Sequence, residues 1–232
     1  MQLSYTMKID NKILEVKFKE GVGREYEILP LPTLFLQWQS ESRKSLFDMI
    51  KEKGSQSIKM QPAHLPVLAT EGEGEFSINL ANKGLGMLPK VSTLEDYINK
   101  FEVILAETKD KEWKESIFQR MKIVGEFYFN LENFDPFLLG GLEIFEGKSF
   151  QNILKNPRAA LLFTGEAPKF PSYQFNGFLK IIEKTDPYFR FLLAARQLFA
   201  RDPFHVLQAD YPYGYLFYTT EIKDKTPFSR KK

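Results

Sequence analysis

The stretch EGKSFQNILKNPRAALLFTG, residues 146–165, sets Lys148 at the head of a short helical pattern. Asn156-Pro157-Arg158 then halts the pattern directly before a buried-strand sequence. Proline disfavours helical geometry in the residue before it, so the helix ends at Asn156. The arrangement suits either a ligand-binding module or a plain connection between strands. A second candidate is SYQFN, residues 172–176. As a strand it puts Tyr173 and Phe175 on one face and Gln174 and Asn176 on the other. Strand carboxamides can hydrogen-bond the edge of a heterocycle, or face water. Arg190 and Arg196, on the helix that follows, suit phosphate or nearby acids. The two histidines, His64 and His205, have no His or Cys neighbour at metal spacing, so no metal site is expected. His205, at the start of the strand FHVLQ, reads as structural. Glu71, Glu73 and Glu75 alternate with other residues among glycines and lack the oxygen pattern of an EF-hand; they read as solvated. The common nucleotide and hydrolase loops, GxGxxG, GxxxxGK[ST] and GxSxG, are absent from the sequence.

Composition narrows the classes further. There is no cysteine, which excludes disulfides, thiolate catalysis and Cys-type zinc or iron–sulfur sites. A net charge of +2 gives no drive toward nucleic acid. The terminal Arg230-Lys231-Lys232 reads as a solvated tail. The first residues lack a signal-peptide pattern, and no 18-residue apolar run spans a membrane, so a cytoplasmic location is the default expectation. Phe is abundant at 22 copies. The aromatics predict a β-rich core, or in part a pocket for a flat ligand.

The elements that must position these residues follow from periodicity. LSYTMKID and KILEVKFK alternate in period two around Asn11, a hairpin signal. A third strand follows, and Ser40 is expected to cap a helix ending at Gly54. Residues 54–91 read as long loops around one or two short strands such as EFSINL. Ser92-Thr93-Leu94-Glu95 predicts a capping box and a helix. A second helix begins near Asp110. IVGEFYFNL and GLEIFEG then read as strands, followed by a helix from Lys148 to Lys155. AALLFTG and YQFNGFLKIIE are strands, Asp186-Pro187 starts a helix, and FHVLQ and YGYLFYTTEI close the chain.

The order GLEIFEGK, SFQNILKNPR, AALLFTG, YQFNGFLKI resembles the FMN-binding split barrel, the superfamily of pyridoxamine phosphate oxidase. The similarity covers roughly 140–222, and residues 1–120 have no counterpart in it. The resemblance implies that Lys148 and Ser149 hold a phosphate, with Tyr173 and Gln174 near the isoalloxazine edge. It also implies a homodimer with the ligand at the interface.

The expected fold class is α+β, with a mainly antiparallel sheet, barrel-like or open, and flanking helices. A β-rich portion is expected over 1–90 and an α+β portion over 91–232. The expected function is a small-molecule cofactor-binding protein, taking FMN or, alternatively, haem or another tetrapyrrole, with oxidoreductase chemistry implied. The alternative is a non-catalytic ligand- or protein-binding module, such as a subunit of a larger assembly.

Overall fold

The computed structural model describes residues 2–19, 21–53, 62–199 and 210–227. The segment FHVLQ with His205, the helix end at Gly54 and the basic C-terminus lie outside the described residues.

Strands β1 (Tyr5–Asp10), β2 (Ile13–Phe18) and β3 (Arg24–Glu27) form a small antiparallel sheet. Asn11 and Lys12 both take positive φ, the geometry of a two-residue hairpin turn. Helix α1 spans Thr33–Lys53. It starts seven residues before the expected Ser40, because Leu36 N–H already bonds to the Pro32 carbonyl.

A seven-stranded antiparallel sheet forms the centre. It contains β4 (Val67–Glu71), β5 (Ile78–Asn82), β6 (Gly86–Pro89), β7 (Phe134–Leu142), β8 (Arg158–Thr164), β9 (Ser172–Ile182) and β10 (Gly214–Asp224). Their order is β5-β4-β8-β9-β10-β7-β6. The segment expected as long loops around one or two short strands thus supplies three, β5 overlapping the expected EFSINL, and the acidic glycine run is the β4–β5 turn. The fold is α+β with a mainly antiparallel sheet.

The chain forces this sheet to curl. Six strand spacings would put flat edges about 29 Å apart. Yet the edge strands β5 and β6 are joined by only Lys83, Gly84 and Leu85. That connection reaches about 14 Å at most. The edges therefore approach at one end without forming a hydrogen-bonded ladder, and the sheet is an open, barrel-like curl.

Helices α2 (Leu94–Glu107), α3 (Trp113–Tyr128) and α5 (Pro187–Phe199) pack together, with α5 also against β7. Phe191 stacks on Phe101 at 5.4 Å and meets Phe127 edge-on at 5.3 Å. Two local expectations fail here. The N-cap of α2 is Thr93, with no side-chain cap bond, and Glu95 is drawn instead to Arg190 at 3.1 Å. Residues 123–128, expected as a strand, continue α3, since Ile117, Met121, Val124 and Phe127 bury one helical face. GLEIFEG contributes only Gly141 and Leu142 to β7.

Arg120 fastens this helical layer. Its buried guanidinium donates to the Thr108 carbonyl and hydroxyl at the end of α2, and to the Gln197 and Leu198 carbonyls at the end of α5. Carbonyls at helix C-termini lack helical partners and carry partial negative charge, so one cation stabilises both ends. Arg120→Met is expected to lower stability by about 2–4 kcal/mol, read by urea unfolding. An unchanged midpoint would remove this role.

Candidate functional site

The sheet has an inner face and an outer face, fixed by register. On the inner face Leu68, Leu161 and Phe175 are fully buried cross-strand neighbours. Tyr173 belongs here: it is buried, lies 5.4 Å from Phe35 of α1 and stacks with Trp38 at 6.3 Å. Gln174, the next residue, points to the outer face. The structure therefore separates the two β9 residues that the resemblance placed at one ring edge.

Helix α4 (Lys148–Lys155) has the predicted limits. Its Ser149 hydroxyl accepts from Asn79 Nδ2 at 2.9 Å, and Asn152 donates to Thr70 Oγ1 at 3.2 Å. Asn156 donates to Glu71 at 3.2 Å, and Lys155 pairs with Glu73 at 2.9 Å. Ser149, Asn152 and Asn156 lie three and four residues apart, so they share one side of the helix. This polar row docks α4 onto the β4–β5 hairpin and explains two of the three acidic side chains in the glycine run. A Cβ at Gly72 would collide with the Asn152 carboxamide, so the glycine is a packing requirement. Lys148 stays exposed on the first turn, and its charge acts on Glu73. Ser149→Ala would leave the Asn79 amide without its acceptor. A stability loss of about 1 kcal/mol is expected by denaturant titration; no change would mean that water replaces the hydroxyl.

The outer face has two halves. One is covered by the small sheet: Tyr26 lies 4.6 Å from Phe178, and the Arg158 guanidinium stands 4.6 Å over Phe18. The other half is bare. Two cross-strand rows run along it, Leu80–Ala69–Ala160–Asn176 and Asn82–Val67–Leu162–Gln174. Leu80 is 65% exposed and Ile78 beside it 61%. Gln174 donates to Asn176 at 2.8 Å, Asn176 donates to Glu221, and Lys223 pairs with Glu221 at 3.2 Å. An aliphatic floor with a polar rim results, four strands wide. It fits a flat apolar body whose edge offers hydrogen-bonding groups.

A buried polar cluster was missed by the sequence reading. Glu143, just past β7, has no exposed surface. One carboxylate oxygen accepts from Lys83 Nζ at 2.6 Å and from the Tyr215 hydroxyl. The other accepts the backbone N–H groups of Ile144, Phe145 and Glu146 at 3.1, 2.8 and 2.9 Å. Burial raises its proton affinity, but the Lys83 and Tyr215 hydrogen bonds outweigh that and hold the carboxyl below its usual range. Burial and the neighbouring carboxylate push the Tyr215 phenol upward, so the shared proton stays on Tyr215. The readable signal was a lone acid inside the apolar run GGLEIF. The candidate arginines are also engaged: Arg190 with Glu95 and Glu102, and Arg196 with the Tyr211 hydroxyl.

A comparison with solved structures finds chains similar to this one at low TM-score. HupZ of Group A Streptococcus matches with a TM-score of 0.41 and 14% identity, over 79% of this chain and 94% of that one. A Listeria innocua chain named "Putative Pyridoxamine 5'-phosphate oxidase" matches with a TM-score of 0.39 and 10% identity, over 79% and 97%. No protein-family model matches the chain, and no curated protein does.

Proposed function

We propose that this chain binds a flat cofactor, FMN or alternatively a tetrapyrrole such as haem, on the bare half of the outer sheet face, with a second copy of the chain closing over it. The supporting observation is the row Asn82–Val67–Leu162–Gln174 beside the exposed Leu80 and Ile78. In this reading Gln174 meets the ring edge. Lys148 supplies the phosphate cation from the first turn of α4, near the hairpin tip that carries Glu73. Ser149 and Tyr173 act from behind, one by holding α4 to β5 and the other by backing the sheet. Redox chemistry, where it occurs, belongs to the bound cofactor; the chain's own residues bind it, orient it and exclude water.

Lys148→Ala separates this reading from a merely structural helix end. FMN affinity is expected to fall about tenfold with thermal stability unchanged, since the side chain is exposed. Equal FMN affinity in the two proteins would remove Lys148 from the site. The alternative reading, a non-catalytic protein-binding module, draws on β5, an edge strand that among the described residues pairs only with β4 and could accept an added strand. It predicts no response to either cofactor.

A further inference from the structure

Strand β10 carries a bulge beside the bare outer face. Thr219 faces Gly177 of β9 and Glu221 faces Asn176, so Thr220 is an extra residue, and its hydroxyl donates to the Asn176 carbonyl at 3.4 Å. A bulge re-aims the side chains beyond it. Without it Thr220 would oppose Asn176, and Glu221 would turn to the inner face. With it Glu221 joins the row of Asn176 and Ala160, and Lys223 joins the row of Gln174 and Leu162. Ile222, between them, stays on the inner face opposite Phe175. The bare face thereby extends onto β10 and gains an exposed carboxylate.

The two amides between Glu221 and the aliphatic floor form a chain with one direction. Asn176 donates to Glu221, and Gln174 donates to Asn176 Oδ1 at 2.8 Å. An ionised carboxylate only accepts, so the direction is set from the Glu221 end. The Asn176 hydrogen bond, and then the one from Lys223 at 3.2 Å, hold the Glu221 carboxyl below its usual range, so it is ionised at neutral pH. Asn176 must turn its NH2 group to Glu221 and its oxygen to Gln174. Gln174 then uses one N–H on Asn176 and keeps its carbonyl oxygen and its second N–H. That pair complements an imide edge, an N–H beside a carbonyl, which the isoalloxazine ring of FMN carries. The haem periphery offers carboxylates instead, which only accept and which Glu221 repels. On the premise that the bare face takes the flat cofactor, as proposed above, we infer that Glu221 is a positioning residue: through Asn176 it fixes the polarity of Gln174, and the face thereby selects an imide-edged heterocycle over a tetrapyrrole.

The test titrates the full chain with FMN, with N3-methyl-FMN, whose imide nitrogen cannot donate, and with haem, followed by flavin fluorescence or Soret absorbance. The wild-type chain is expected to bind FMN about tenfold or more tighter than the methylated analogue, and tighter than haem. Glu221→Gln keeps the shape, and the exposed position leaves the fold intact. Its amide offers Asn176 either a donor or an acceptor, so Gln174 loses its fixed direction. FMN affinity should then fall about fivefold or more, while that of N3-methyl-FMN stays within about twofold. A change in stability alone would lower both affinities equally, so the ratio reads positioning. Gln174→Met, which removes the amide, should narrow the same ratio. The inference is overturned, with the cofactor reading intact, if FMN binds and its preference over the analogue is unchanged in Glu221→Gln. Binding of haem without FMN overturns it in the same way. If neither flavin nor haem binds, the cofactor reading fails and the role of Glu221 fails with it.

Discussion

Glu143→Gln is expected to lower stability by about 3 kcal/mol at pH 7, seen as a reduced urea midpoint with an unchanged slope. The change keeps the shape and removes the charge, so Lys83 is left beside a neutral amide. Breaking a buried pair costs roughly 3–5 kcal/mol, because the remaining charge is uncompensated. The lower end applies here, since the Lys83 side chain keeps 15% of its exposure and some of its water. The effect reaches beyond the pair. Lys83 lies in the three-residue connection between the two sheet edges, whereas Glu143 and Tyr215 sit on the β7 and β10 side. The cluster therefore fastens the curl closed where the backbone ladder stops. Tyr215→Phe, which leaves Lys83 and three N–H donors in place, should cost only about 1–2 kcal/mol.

The pH dependence has a definite sign. The folded carboxyl titrates below its unfolded value of 4.5, so the unfolded chain binds the proton first on acidification. The stabilisation is complete above that unfolded value and disappears as pH falls through the folded one. The gap between wild type and Glu143→Gln should therefore narrow below pH 4.5. A gap that stays constant into acid would mean that the carboxylate charge is not what holds the cluster.

Leu162→Arg carries the second large effect. Leu162 lies on β8, a strand paired on both sides, at the centre of the bare outer face. It is half-buried, and a long arginine can extend into solvent, so the fold should survive with stability changed by about 1 kcal/mol or less. The ligand face should not. A charge placed among Val67, Ala69 and Ala160 must be desolvated under a flat apolar ligand. Losing a central anchor of this kind costs about 2–4 kcal/mol, or roughly thirtyfold to a thousandfold in affinity. Isothermal titration with FMN, and with haem in parallel, checks it. Tight binding by a folded Leu162→Arg protein would move the site elsewhere.

Local chemistry made part of this molecule legible. The proline after Asn156 fixes the end of α4 and the Asp186-Pro187 pair the start of α5, and in the structure Asp186 does accept the Tyr188 N–H at 2.9 Å. Period-two alternation located β1, β2, β8 and β9. Tertiary context decided the rest. The β-branched and aromatic run from Ile123 to Tyr128 has strand propensity, yet Val124 and Phe127 complete a helical face begun by Ile117. Strands β4, β5 and β6 are short and separated by glycine-rich turns; β4 and β6 gain their place by pairing with β8 and β7 far along the chain, and β5 joins the sheet through β4. The site was half readable for the same reason. Alternation put Gln174 and Tyr173 on opposite faces, but only register showed that Tyr173 faces Phe35 and that Gln174 shares a row with Leu162. Glu143 and Lys83, sixty positions apart, could be joined only by the curl of the sheet.

The most direct test of cofactor binding is an absorption spectrum of the purified chain, alone and after addition of FMN or haem followed by removal of free ligand. A retained flavin or Soret band, at one ligand per chain or per dimer, and its loss in Leu162→Arg, is the predicted result. A spectrum without either band at any ligand concentration would contradict the account and leave the bare face to a protein partner.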